Sequence, residues 1–123
     1  MARLAWQVKV TDEYAAWFTE LIKTDLGSAT LVAQAVAALR EDGPSLHRPL
    51  ADRIKGSHIH NLKELRPGSR GRSEIRIIFA FDRTRSALLL LGGDKAGNWE
   101  RWYRENIPIA ERLYREYTTD GDE

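Results

Sequence analysis

The sequence predicts one α+β domain, and three observations predict it. Ile75, Ile77, Phe79 and Phe81 alternate with Glu74, Arg76, Ile78, Ala80 and Asp82, the period of a strand with two different faces. A turn at residues 82–85 leads into the continuous apolar run 87–91, as expected of a central strand. Two stretches ahead of this hairpin and one after it carry apolar residues at helical spacing. The order strand, two helices, three antiparallel strands and helix makes a small, mostly antiparallel sheet of about four strands. Its N-terminal helix hairpin lies on one face and a helix closes the chain.

Each element has its own warrant. Residues 4–10 (LAWQVKV) place Leu4, Trp6, Val8 and Val10 on one side of a half-buried strand. Thr11 or Asp12 can cap the next helix, whose stripe is Tyr14, Trp17, Phe18, Leu21 and Ile22. Gly27 is placed to stop it, and Ser28 to cap a second helix with the stripe Leu31, Val32, Ala35, Val36 and Leu39. That helix ends at Gly43-Pro44, and so short a join makes the pair an antiparallel hairpin.

Residues 46–57 read as an irregular basic connector containing Pro49. In residues 59–66 (IHNLKELR), Ile59, Leu62 and Leu65 fit helix spacing as well as strand. The segment's length and the Pro67-Gly68 turn after it select a strand. A basic loop, 66–72, leads into the alternating strand. Gly92-Gly93 lacks the strand–GxGxxG–helix setting of a nucleotide fold and reads as a turn. Asn98 caps a last segment with the stripe Trp99, Trp102 and Tyr103. Pro108 separates it from a second piece bearing Ala110, Leu113, Tyr114 and Tyr117, because proline suits a first turn and not a helix interior.

Composition bounds the function. With 123 residues, 42% hydrophobic and 30% charged, the whole chain 1–123 reads as a single globular domain. Cysteine is absent, which excludes disulfides and thiolate metal sites and suits a reducing compartment. No run approaches a membrane span or a signal sequence, so the expected location is the cytoplasm, with no membrane partner. The net charge of +1 hides an uneven distribution. Residues 40–104 carry 14 basic against 8 acidic side chains, whereas residues 1–39 carry 3 against 4 and residues 105–123 carry 2 against 6. A basic middle attracts polyanions, and the acidic end, 118–123, is expected to fray.

Strand phase selects the face that can do chemistry. The helix hairpin takes the face of Ile75, Ile77, Phe79 and Phe81, so Arg76 points to the other, open face. Leu62, Glu64 and Arg66 share that face in the simplest register; a slip of one residue would bring Lys63 there instead. On the last strand Leu89, Leu91 and Lys95 follow the same parity. The open face thus gathers Glu64, Arg66, Arg76 and Lys95, rimmed by Arg70, Arg72 and the start of the last helix.

The set LKELR (62–66), EIRIIFAF (74–81), LLLLGGDK (88–95) and NWERWYRENIPIAERLY (98–114) resembles the RelE/HigB-like toxins of bacterial toxin–antitoxin pairs, most closely their phage-derived HigB-type branch. The resemblance covers nearly the whole chain, although each motif alone is degenerate. It implies a RelE-like fold and a metal-independent endoribonuclease that needs no cofactor and cuts mRNA on the ribosome. It also implies a cognate antitoxin, a small helix-turn-helix protein. Arg76 matches the family's strand arginine and Lys95 the basic residue after the last strand. Glu64 stands where RelE itself tends to have lysine and the HigB-type branch glutamate. Tyr103 or Arg101 falls near the C-terminal aromatic or polar group of some members. Lys63, Arg66, Arg70, Arg72, Arg101 and Tyr103 are the implied RNA-binding set. The superfamily also contains ParE-like inhibitors of DNA gyrase that cut no RNA, and an inactive remnant that binds only RNA or an antitoxin is a third reading.

RNA cleavage without metal requires charge stabilisation at phosphorus, a base for the 2′-hydroxyl and an acid for the leaving 5′-oxygen. Arg76 suits the first role because its planar fork binds two phosphate oxygens; the plain structural role is a salt bridge to Glu64 or Glu74. Lys95 suits acid or electrostatic help, unless it is an ordinary turn lysine; as a base it would be opposed by neighbouring Asp94. Glu64 is the obvious carboxylate base, or equally a cross-strand partner of Arg76. His58 and His60 share a strand face but lack a third ligand, so no metal site is expected, and His47 adds none. Trp99, Trp102 and Tyr103 could stack on bases, although their spacing suits a core stripe better.

Overall fold

A computed structural model describes residues 5–68 and 71–119; Leu4, Arg70 and the acidic residues 120–123 lie outside them. The elements in chain order are β1 (Gln7–Val10), α1 (Asp12–Thr24), α2 (Leu26–Asp42), a 3-10 turn (Gly43–Ser45), β2 (Ala51–Arg53), β3 (Lys63–Leu65), β4 (Ile75–Phe81), β5 (Ser86–Asp94) and α3 (Trp99–Thr119). The strands form one sheet in the order β1-β5-β4-β3-β2. β1 runs parallel to β5 and every other pairing is antiparallel. The α+β class holds, with five strands rather than about four; the extra one is β2, inside the segment expected to be irregular.

Thr11 shows how local chemistry sets the first corner. Its hydroxyl accepts from the Tyr14 N–H at 3.0 Å, capping α1, and donates to the Leu90 carbonyl at 2.5 Å. That carbonyl belongs to a bulge. Ile78 pairs with Leu91 and Phe79 with Leu89, so Leu90 is the extra residue and its polar groups need a partner outside the ladder. The α1–α2 junction falls earlier than expected. Asp25, not Ser28, is the cap of α2, its carboxylate accepting from the Ser28 N–H and hydroxyl at 3.1 and 2.6 Å. Gly27 therefore lies inside the first turn of α2.

The two faces of the sheet are covered by different helices. α1 and α2 close over Ile75, Ile77, Phe79, Ala87 and Leu89 with Tyr14, Val32, Ala35 and Leu39. On the other face Ile107, Ala110 and Leu113 of α3 close over Leu62, Ile78, Ala80, Leu88, Leu90 and Leu91. The face expected to be open is thus largely covered, and only its Arg76 end escapes. The bulge also corrects the expected parity: Leu89 belongs to the hairpin face, while Leu90 and Leu91 both join the α3 face.

α3 is a single helix, not two pieces, and Pro108 lies inside it. Proline costs the helix a backbone bond and strain, but Ile107, Ala110 and Leu113 bury one continuous stripe across that point, and burial of that stripe outweighs the local loss. Thr118 and Thr119, expected in the frayed tail, belong to its last turn.

Gly92 and Gly93, expected to form a turn, lie within β5. They serve close approach instead. A Cβ on Gly92 would run into the Trp17 ring of α1, and one on Gly93 would lie 2.6 Å from Nε1 of Trp102 in α3. One glycine on each face lets each helix settle against the sheet.

Candidate functional site

Glu64 pairs with Ile78 and Leu65 with Ile77 across β3 and β4, the register without a slip. Glu64 and Arg66 therefore share the face of Arg76, as expected. Lys63 pairs with Phe79 and takes the opposite parity; it lines a shallow depression with Pro44, His47 and Ala51. Where α3 begins, Tyr103 leans over the sheet toward Glu64.

The resulting cluster is closely bonded. The Tyr103 hydroxyl donates to Oε1 of Glu64 at 2.5 Å. Arg66 reaches Oε2 with Nε at 2.8 Å and Nη2 at 2.7 Å, and its Nη2 meets Oδ2 of Asp52 on β2 at 3.2 Å. Glu64 is only 3% exposed, so both oxygens of a buried carboxylate are occupied. Charge-assisted bonds of this kind hold geometry firmly. Burial, followed by the Glu64 carboxylate, pushes the Tyr103 phenol above its ordinary range, with Arg76 pulling weakly the other way. Tyr103 is therefore a neutral donor at physiological pH. The Arg53 N–H, ahead of Arg48 and Arg66, holds the Asp52 carboxyl below its usual value against a burial effect of opposite sign.

Arg76 makes neither of the salt bridges considered for it. Its Nη1 donates to the Ile75 carbonyl at 2.8 Å, and its buried Nε has no partner among the described residues. Glu64 is taken by Arg66 and Tyr103, and Glu74 by Lys95 at 3.5 Å. Arg76 is thus a half-buried cation with no ion pair among the described residues. Asp94 turns aside from Lys95, its carboxylate accepting from the N–H groups of Glu74 and Ala96, each at 2.9 Å.

The implied RNA-binding residues divide. Arg66 and Tyr103 line a cleft of about 430 Å³ with Glu64. Arg72 is exposed in its loop. Arg101 faces along α3 and pairs with Glu105 at 3.3 Å. Arg70 lies outside the described residues. Lys95 sits two residues past Gly93, the partner of Arg76, at the other side of that arginine. Trp102 and Tyr103 are half-buried with rings 5.1 Å apart, but Trp99 is 58% exposed and is no core residue.

The same cleft is walled by Arg48, Asp52, Arg53, Ile54 and Lys55, residues that sequence reasoning did not single out. They were missed with β2. Its residues and Ile54 alternate for only four positions, too short a signal to separate a strand from a loop. His58 and His60 bring no metal set: among the described residues no group of three or more His, Cys, Asp or Glu is assembled. Instead the His58 N–H and the Ser57 hydroxyl bond Oε2 of Glu111 at 2.6 and 2.8 Å, tying their loop to α3.

The comparisons with known proteins agree with one another. The family profile "Phage derived protein Gp49-like (DUF891)" matches residues 19–115. Two proteins of Mycobacterium tuberculosis (strain ATCC 25618 / H37Rv) are similar. "Putative toxin HigB2" is 45% identical over 114 residues, 93% of this chain and 55% of that protein. "Putative toxin HigB3" is 51% identical over 96 residues, 78% of this chain and 79% of that protein. The chain thus spans about half the length of the first relative. Among solved structures, the YoeB dimer from Staphylococcus aureus matches with a TM-score of 0.57 at 8% identity, covering 71% of this chain and 93% of that one. At so low an identity the likeness shows the fold alone, and that fold is the expected RelE-like one. No helix among the described residues is long and apolar enough to cross a membrane.

Proposed function

Since the chain belongs to the Gp49-like family of phage-derived proteins, we propose that it is the toxin of a toxin–antitoxin pair, a metal-independent and ribosome-dependent endoribonuclease that cuts mRNA and halts translation. The observation that carries this reading is the cluster on the α3 face: a carboxylate joined to a phenol at 2.5 Å beside an arginine that, among the described residues, has no ion pair and a buried Nε without a partner. Relatives named as toxins support the biological role, and the partner in the cell is then a cognate antitoxin, a small helix-turn-helix protein.

In the proposed reaction the ribose 2′-oxygen bonds to the adjacent phosphorus, the bond from phosphorus to the 5′-oxygen breaks, and a 2′,3′-cyclic phosphate remains. Arg76 stabilises the charge that gathers on the phosphorane oxygens, a role its planar donors suit. Glu64 is too enclosed to meet the 2′-hydroxyl itself. Tyr103 relays instead, taking the 2′-proton as it passes its own to Glu64; its high pKa excludes a free tyrosinate but not this concerted exchange. Arg66 orients the carboxylate. Lys95 supplies the proton to the departing 5′-oxygen or holds its phosphate.

The test is to induce wild type and Arg76→Ala in cells, follow growth and map mRNA 5′ ends. Arrest and new ends with wild type alone support the site. Equal cleavage by both variants contradicts it, and lost DNA supercoiling with intact mRNA would favour a ParE-like gyrase inhibitor.

A further inference from the structure

β2 is an edge strand, and its cations are poorly neutralised. Arg53 stands directly opposite Lys63 across the β2–β3 pair, an arrangement that like charges make unfavourable. Among the described residues neither Arg53 nor Lys55 has an acidic partner; Arg48 pairs with Asp52, which is shared with Arg66. Beyond the cleft of Glu64 and Tyr103 lies a second one of about 570 Å³, reaching Ser57 and His60. The two share Arg48, Asp52, Arg53, Ile54 and Lys55, three cations against one carboxylate, so they form one groove leading away from the cluster. Trp99 borders its near end, 58% exposed and edge-on to Tyr103 at 6.5 Å.

We infer that this groove is a second nucleic-acid subsite, holding the nucleotide next to the cleaved one: Arg53 and Lys55 bind backbone phosphate, and Trp99 stacks on a base. Unpaired cations beside an exposed aromatic are what a groove for single-stranded nucleic acid requires, and each cleft is large enough for a ligand of nucleotide size. A cation row on an edge strand can also serve only to prevent sheet-to-sheet association. That role explains the charges but not the exposed tryptophan beside them. The inference rests on the endoribonuclease reading for the identity of the polymer.

The experiment measures anisotropy of a short labelled 2′-O-methyl RNA, which cannot be cleaved, against the full chain over a salt series. Wild type, Arg53→Gln/Lys55→Gln, Trp99→Ala and the remote control Arg112→Gln are compared, each checked for folding by circular dichroism. The double variant should bind more weakly, its slope of log affinity against log salt shallower by about 0.7 for each phosphate no longer neutralised. Trp99→Ala should weaken binding by about 5-fold or more. Wild-type affinity and slope in both variants would overturn the subsite, whether the groove then holds an acidic peptide or only guards the edge, and so would a wild type that binds no RNA. Ribosomal cleavage run in parallel separates the two readings. Salt-dependent binding through these residues without cleavage leaves the subsite standing and removes the nuclease. Cleavage with unaltered binding in the variants removes the subsite alone.

Discussion

The two faces of one sheet are built to different ends. Under α1 and α2 the packing is mostly apolar, with Val32, Ala35 and Leu39 against Ile77, Phe79 and Leu89, and Ser28 and the Tyr14 hydroxyl as its buried polar groups. Under α3 the apolar stripe begins at Ile107, with the buried carboxylate of Glu111 beside it. Toward the start of α3 the same face carries Glu64, Arg66, Arg76 and Tyr103. α3 therefore both seals a core and delivers a phenol to a buried carboxylate. The lesson is that placing the site depends on helix packing, so damage to the α3 face should cost function as well as stability, and damage to the hairpin face stability alone.

The largest expected effect on stability lies on the hairpin face. Phe79→Ala should lower unfolding free energy by about 3–5 kcal/mol, the cost of a large buried cavity, measured by urea denaturation; the protein that remains folded should keep its cleavage rate. The adjacent glycines then set one face against the other. Gly92→Ala drives a methyl into Trp17 and Gly93→Ala drives one into Trp102, each destabilising by about 1–3 kcal/mol through overpacking. Only Gly93→Ala should also slow cleavage, because Trp102 neighbours Tyr103 on α3. Equal cleavage per folded molecule in the two variants would break the comparison.

Much of the hairpin face was legible in the chain, and less of the other. Ile75, Ile77 and Phe79 alternate cleanly, and Val32, Ala35 and Leu39 keep helical spacing, so one period fixes each partner. The α3 face has no such clarity. The apolar run from Ala87 to Leu91 conceals the bulge at Leu90, since every residue in it is apolar whichever way it points. Pro108 suggested a break because local backbone chemistry argues for one, and tertiary burial overrides it. Glu64, Arg66 and Arg76 could be grouped by parity alone. That Tyr103 bonds Glu64, leaving Arg76 without an ion pair among the described residues, depends on where α3 lands. β2 and its cations escaped notice because three residues carry too little pattern.

Smaller effects on stability sharpen the α3 face. Tyr103→Phe leaves Oε1 of Glu64 without its donor and should cost about 1–3 kcal/mol, with cleavage falling by about 10²- to 10⁴-fold if the phenol relays the proton. The smallest effect is a pH dependence from Glu111. Burial opposes its ionisation, but the bonds from Ser57 and His58 outweigh burial and hold its carboxyl below the ordinary value of 4.5. A depressed folded pKa stabilises the protein above the unfolded value and loses that contribution as pH falls through the folded one. Urea midpoints should therefore fall on acidification below about pH 4.5, and less steeply in Glu111→Gln.

The most direct measurement of the central claim is cleavage of ribosome-bound mRNA by purified wild type and Arg76→Ala at matched folded concentration. Removing the arginine should slow cleavage by about 10²- to 10³-fold, as loss of one transition-state charge stabiliser does, with the urea midpoint nearly unchanged. Cleavage by Arg76→Ala at the wild-type rate would contradict the assignment of this face as the active site.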